Sequence, residues 1–160
     1  CAHWRNRSSA ALGRSRAARY GRAMSGEISP LMASLNVAVG GAAGSVLRYH
    51  AGRAVTHLAG PDNAFPWGTL GVNILGSLLM GALVGWFARG TMAAPAAESL
   101  RLLIGVGLLG GFTTFSAFSS EMVTMVHRGQ AMMALAYGSA SLLAGMAAIL
   151  IGLVAAQNAS

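Results

Sequence analysis

Two stretches of this 160-residue chain place hydroxyl or amide side chains at helical spacing: Thr69, Asn73 and Ser77 on one, Tyr137 and Ser141 on the other. Residues four apart share a helix face, so each set forms a stripe. Between them, Gly111 to Phe118 reads Gly-Phe-Thr-Thr-Phe-Ser-Ala-Phe, adding hydroxyls at Thr113, Thr114 and Ser116 and two rings three apart, Phe115 and Phe118. All of these polar groups are neutral. Amides and hydroxyls offer donors without a fixed charge, and the edge of a phenyl ring is electropositive. Such a set suits contact with a small anion and not a proton relay. The plainer alternative is helix-to-helix glue for Asn73 and core packing for Phe115 and Phe118, which share a face with Met122 and Met125. The second stripe favours a polar path over glue.

Other chemistries find little support. No nucleophile stands with its base, and there is no phosphate loop or pair of catalytic carboxylates. His50, His57 and His127 show no metal-ligand spacing, and the single cysteine, Cys1, rules out an internal disulfide framework. Nothing here reads as an enzyme.

The elements that must carry the stripes are set by composition. The chain is 54% hydrophobic and 9% charged, with a mean hydropathy of +0.57, whereas soluble domains carry about 25% charged residues. A bilayer span takes about 20 mostly apolar residues, and four segments qualify: 35–57, 68–88, 100–127 and 131–155. Gly60-Pro61-Asp62-Asn63, Ala94-Pro95-Ala96 and Arg128-Gly129-Gln130 punctuate them. The third is the longest, and Gly110-Gly111 followed by Thr113-Thr114 divides it into two half-helices. At membrane depth a broken helix is tolerated only where it faces protein or a water-filled path. Carbonyls freed there could bind a cation such as Na⁺; alternatively the threonine hydroxyls cap the broken ends. The sequence thus predicts an all-α integral membrane protein of four transmembrane helices, the third broken mid-membrane, over residues 35–157.

The net charge of +7 comes wholly from arginine, six of the eleven lying in residues 1–34. That segment lacks an apolar h-region, so it is not a secretory signal. It reads as a basic, disordered extension rather than a nucleic-acid-binding arm. Within the spans, Arg48 is placed either to snorkel toward an interface or to draw an anion into a vestibule, and Glu121 to pair with an arginine or tie down the half-helix. Arg89 and Arg101 flank one side of the membrane, Arg53 and Arg128 the other. Positive residues normally set orientation; setting aside residues 1–34, whose arginines favour an N-terminus inside, the bias is nil, so two opposed copies can pair about a two-fold axis in the membrane plane. Gly40/Gly44, Gly81/Gly85 and Gly107/Gly111 are each four apart, and Gly138, Gly145 and Gly152 mark one face of the last span. They serve either packing within the chain or a subunit interface.

Three runs carry a resemblance. Gly40-Gly41-Ala-Ala-Gly44-Ser-Val-Leu-Arg48-Tyr49, Trp67-Gly68-Thr69-Leu-Gly-Val-Asn73-Ile-Leu-Gly76-Ser77 and Gly110-Gly111-Phe-Thr113-Thr114-Phe115-Ser116-Ala117-Phe118 strongly resemble the CrcB/Fluc fluoride channel family, in register across residues 36–155. The resemblance implies an antiparallel dual-topology homodimer in the inner membrane of a bacterium, with two fluoride pores and a central structural Na⁺. By position, Asn73 would hydrogen-bond fluoride, and Phe115 and Phe118 would form an aromatic box with one ring from each subunit. Backbone carbonyls of Gly110 and Thr113, from both subunits, would hold the Na⁺. Thr69, Ser116, Tyr137 and Ser141 would belong to the polar track and Arg48 to the vestibule. Fluoride, membrane lipid and a second copy of the chain are the partners this implies, with no nucleic acid. Two departures stand out: Ala117 lies where many members carry a hydroxyl between the rings, and Gly145 where a track serine is often expected.

A small dual-topology multidrug transporter is the rival reading. It needs a carboxylate in the first span, and residues 35–57 hold no Asp or Glu. A non-transporting membrane assembly protein would explain the glycine faces but not the two polar stripes.

Overall fold

The computed structural model describes residues 28–60, 64–90 and 92–159. The expected extension over 1–34 therefore lies largely outside the described residues. Among those residues everything regular is helical. Helix α1 is Pro30–Ala59, α2 is Trp67–Ala88, and α3 runs from Ala94–Leu100 through Arg101–Leu109 to a last turn, Gly110–Phe112. Helix α4, Phe115–His127, follows the break, and α5 is Ala131–Asn158. Four helical stretches are long and apolar enough to cross a membrane, with α3 and α4 together forming the third.

The first helix starts at Pro30, five residues before the span read from hydropathy, because its start signal is polar. Ser29 Oγ accepts from the Met32 N–H at 3.2 Å, with Pro30 at the first helical position. A hydropathy window does not register a cap. At ~1.5 Å per residue, α1 is ~45 Å long, more than the ~30 Å of hydrocarbon, and Arg48 and Arg53 lie in its far half.

The middle of α3, Arg101–Leu109, winds as a π-helix, with the Gly110 N–H reaching the Gly105 carbonyl. Nothing in the sequence announces this. π-Turns recur at functional sites, and this one delivers the chain to the break.

Packing answers the open question about glycines. A Cβ at Gly40 would overlap the Leu103 carbonyl oxygen, and one at Gly44 the Leu108 carbonyl oxygen. Gly111 would meet the Gly41 backbone oxygen at 2.6 Å. These residues let α1 and α3 touch backbone to backbone. Gly81, Gly85 and Gly152 do the same for α2 and α5, against Ile149, Leu153 and Leu78 carbonyls. Both seams are internal to the chain. Gly138 and Gly145 differ: each meets only side-chain atoms, of Met122 and Ser77 respectively.

The core is small. Leu70, Met125, Ala134 and Tyr137 form its cluster, with Phe65, Ile74, Phe118, Met122 and Met133 against it. Large apolar side chains such as Leu142, Leu143, Leu150 and Met132 are more than half exposed, as a surface facing lipid or another chain requires.

Candidate functional site

The site is built around the break. Thr113 (φ −82°, ψ 158°) and Thr114 (φ −148°, ψ 118°) are extended, so α3 stops and α4 begins afresh at Phe115. Asn73 holds the gap open. Its Nδ2 donates to the Thr114 carbonyl at 3.1 Å, and the Thr114 N–H donates to its Oδ1 at 2.8 Å. The amide orientation follows from chemistry, since a backbone N–H only donates and a carbonyl only accepts. Gly76, one turn nearer the middle of α2, permits this approach: a Cβ there would overlap the Thr113 methyl.

The hydroxyls close the broken ends, as the capping alternative anticipated. Thr114 Oγ1 accepts from the Ala117 N–H at 3.2 Å and lies 3.3 Å from Ser116 Oγ. Thr113 Oγ1 donates back to the Leu109 carbonyl at 3.0 Å. Freed carbonyls exist as well. In an unbroken helix the N–H of residue i+4 bonds the carbonyl of residue i. Thr114 would serve Gly110, and Ala117 would serve Thr113. Here both N–H groups are taken by side-chain oxygens, Asn73 Oδ1 and Thr114 Oγ1. The Gly110 and Thr113 carbonyls thus lose their helical donors, which is the chemistry a backbone cation site needs.

A second junction joins three helices through Glu121. Thr69 Oγ1 on α2 donates to its Oε1 at 2.6 Å, and the Tyr137 hydroxyl on α5 donates to its Oε2 at 2.7 Å. Tyr137 is fully buried. Of the two roles the sequence left open for Glu121, the structure shows the tie and no arginine partner among the described residues. Its signal was its being the lone carboxylate between Arg101 and the end of α4, opposite hydroxyl stripes on two other spans.

Two cavities meet at Thr114. One, of about 620 Å³, is lined by Arg48, Tyr49, Arg53, Thr69, Ser116 and Glu121 among others. Arg53 Nη1 donates to the Tyr49 hydroxyl at 3.3 Å, with its guanidinium 5.6 Å from that ring's centre. This mouth thus carries two guanidinium groups and one carboxylate whose oxygens are both hydrogen-bonded. The other cavity, of about 380 Å³, is lined by Asn73, Ser77, Thr113, Phe115, Phe118 and Ser141, with Gly138 and Gly145 on its α5 wall. Ser141 Oγ is buried there without a hydrogen-bond partner.

The two rings, expected on one face, both line this cavity but differ in exposure. Their centroids are 5.8 Å apart, and Phe118 leans on Tyr137 at 5.1 Å. Phe115, one turn earlier, is 79% exposed. The fold therefore gathers Asn73, Thr113, Phe115, Phe118 and Ser141 about one cavity and Arg48, Thr69 and Ser116 about the other. Tyr137 sits behind the junction, and Gly110 lies in the last turn of α3. Sequence reading passed over the Tyr49–Arg53 pair, although its spacing of four was the signal.

Comparison with known proteins gives a consistent outcome. Residues 35–153 match the family model described as CrcB-like protein, Camphor Resistance (CrcB). A fluoride-specific ion channel FluC of Novosphingobium aromaticivorans is 52% identical over 123 residues, covering 77% of this chain and 94% of that protein. The FluC of Erythrobacter litoralis is 49% identical over 129 residues, 79% of this chain and 93% of its own. That of Rhizobium leguminosarum is 46% identical over 123 residues, 77% and 94%.

Proposed function

Because this chain belongs to the CrcB family of fluoride-specific ion channels, we propose that fluoride crosses it along the two cavities that meet at Thr114. It is a multi-pass membrane channel and not an enzyme. The observation that carries the path is the buried, unpartnered Ser141 Oγ, in one cavity with Asn73, Phe115 and Phe118.

Fluoride is small and strongly hydrated, so a selective pore replaces its water with close donors that a larger chloride cannot use. Arg48 and Arg53 at the mouth raise the local anion concentration. Beyond them the groups are neutral. Asn73 retains one amide hydrogen after bonding Thr114, and Ser116 and Ser141 offer hydroxyls. The edges of Phe115 and Phe118 face the ion without binding it as tightly as a fixed charge would. Thr69 and Tyr137 belong to the same track and each donates to one oxygen of Glu121, which offsets its negative charge beside the passing ion. Flow is passive. It lowers cytoplasmic fluoride, which builds up because hydrogen fluoride crosses membranes uncharged.

The working unit is an antiparallel, dual-topology homodimer with two pores in the cell membrane. The exposure of Phe115 supports this, since an apolar ring left 79% exposed beside the cavity calls for a partner to cover it. The Gly110 and Thr113 carbonyls of both subunits would hold a structural Na⁺ at the dimer centre, where the ion neutralises the carbonyl dipoles at the two breaks. The Gly110 and Thr113 carbonyls, whose helical donors are taken by side-chain oxygens, suit that role.

Efflux from proteoliposomes loaded with fluoride or with chloride tests the reading. Fluoride flux that far exceeds chloride flux is expected. No fluoride flux, or equal chloride flux, overturns it.

A further inference from the structure

Gly145 leaves α5 without a hydroxyl one turn beyond Ser141, and the facing helix bears on that gap. A Cβ built at Gly145 would stand 3.6 Å from Ser77 Oγ, an ordinary van der Waals contact. Ser77 is half-buried, lines the same cavity as Ser141 and Gly145, and makes no hydrogen bond to any described residue. A helical serine commonly bonds back to the carbonyl four residues earlier; this one does not. Its hydroxyl is therefore free for whatever occupies the cavity, beside a second unpartnered hydroxyl at Ser141.

We propose that Ser77 is an anion-contacting residue of the pore, supplying from α2 the hydroxyl that α5 lacks at Gly145. Resting on the channel reading above, this assigns a donor that the two-stripe pattern alone left open between packing and path. Asn73 and Ser77 lie one turn apart on α2, so an ion leaving the remaining Asn73 amide hydrogen meets the Ser77 hydroxyl next, with Ser141 opposite.

Fluoride efflux from proteoliposomes tests this with three proteins: the unsubstituted chain, Ser77→Ala, and Ser77→Ala combined with Gly145→Ser. Loss of one hydrogen bond to the ion should slow efflux roughly five- to tenfold in Ser77→Ala. Returning a hydroxyl to the same gap from α5 should restore efflux to within about twofold of the unsubstituted chain, on the same hydrogen-bond scale. Unchanged efflux in Ser77→Ala overturns the proposal. So does slow efflux that the second substitution fails to restore, because it assigns Ser77 to packing. An unsubstituted chain that carries no fluoride removes the channel reading and this proposal together; a conducting one with either of the other outcomes removes only this.

Discussion

Asn73 and Thr114 are joined at both ends of one amide: the side chain donates to the Thr114 carbonyl and accepts from its N–H, at 3.1 and 2.8 Å. The pairing gives the Thr114 N–H the acceptor that the break removes and adds a side-chain donor to the Thr114 carbonyl. An amide is the one neutral side-chain type that carries a donor and an acceptor in this arrangement. The residue that would contact the ion is thus also the residue that keeps the path open.

Asn73→Asp should separate these roles poorly and fail in both. The carboxylate keeps the acceptor for the Thr114 N–H but loses the donor, setting a negatively charged oxygen against the Thr114 carbonyl in a buried position. A cost of about 1–3 kcal/mol is expected, together with loss of fluoride flux. Thermal unfolding in detergent and liposome efflux report the two effects. Unaltered unfolding would show that the bond to Thr114 adds nothing to the fold.

Thr69 and Tyr137 act through one carboxylate. Thr69→Val and Tyr137→Phe each strip one oxygen of Glu121 of its donor, at about 1–3 kcal/mol apiece. Once Glu121 is replaced by alanine, neither should cost much more. A double-mutant cycle on unfolding free energy should therefore give coupling of about 0.5–3 kcal/mol for each pair. Strict additivity would dissolve the junction.

Phe115 and Phe118 should answer differently to the same change. Phe118→Ile loses its contact with Tyr137 and should lower both flux and protomer stability. Phe115→Ile touches a largely exposed ring, so it should lower flux while unfolding of the protomer shifts by no more than about 0.5 kcal/mol, the scale of surface substitutions. Cross-linking should still recover the dimer in each case. Full flux from either variant would take that ring out of the pore.

Charge near the helix ends predicts how the chain inserts. Arg101 is bidentate to Glu98 at 2.8 Å, but insertion follows the count of arginines and lysines rather than net charge, so that pair leaves the bias at nil. Apart from the arginines of residues 1–34, which lie on the same side as Arg89 and Arg101, replacing those two by alanine leaves Arg53 and Arg128 unopposed and should shift the distribution of orientations. Accessibility of a terminal tag in cells reads the outcome; an unchanged mixture would mean that these residues do not set topology.

The sequence by itself determined the spans, the place of the break and the polar and aromatic residues from which the proposed path is made. Those are properties of short windows: hydropathy over about 20 residues, two glycines before two threonines, and spacings of three and four. Partner choice is a different quantity. It depends on how each helix is rotated and shifted along its axis against another, which is decided by backbone contact at Gly40, Gly44, Gly81 and Gly152. Only the tertiary structure could therefore bring Asn73 to Thr114, 41 residues away, or Thr69 to Glu121, 52 away. The same docking packed Phe118 on Tyr137, left Phe115 exposed at the rim of the same cavity and set the Ser77 hydroxyl against the gap at Gly145. The π-helical stretch of α3 also left no mark in residue types, because its apolar side chains fit either winding.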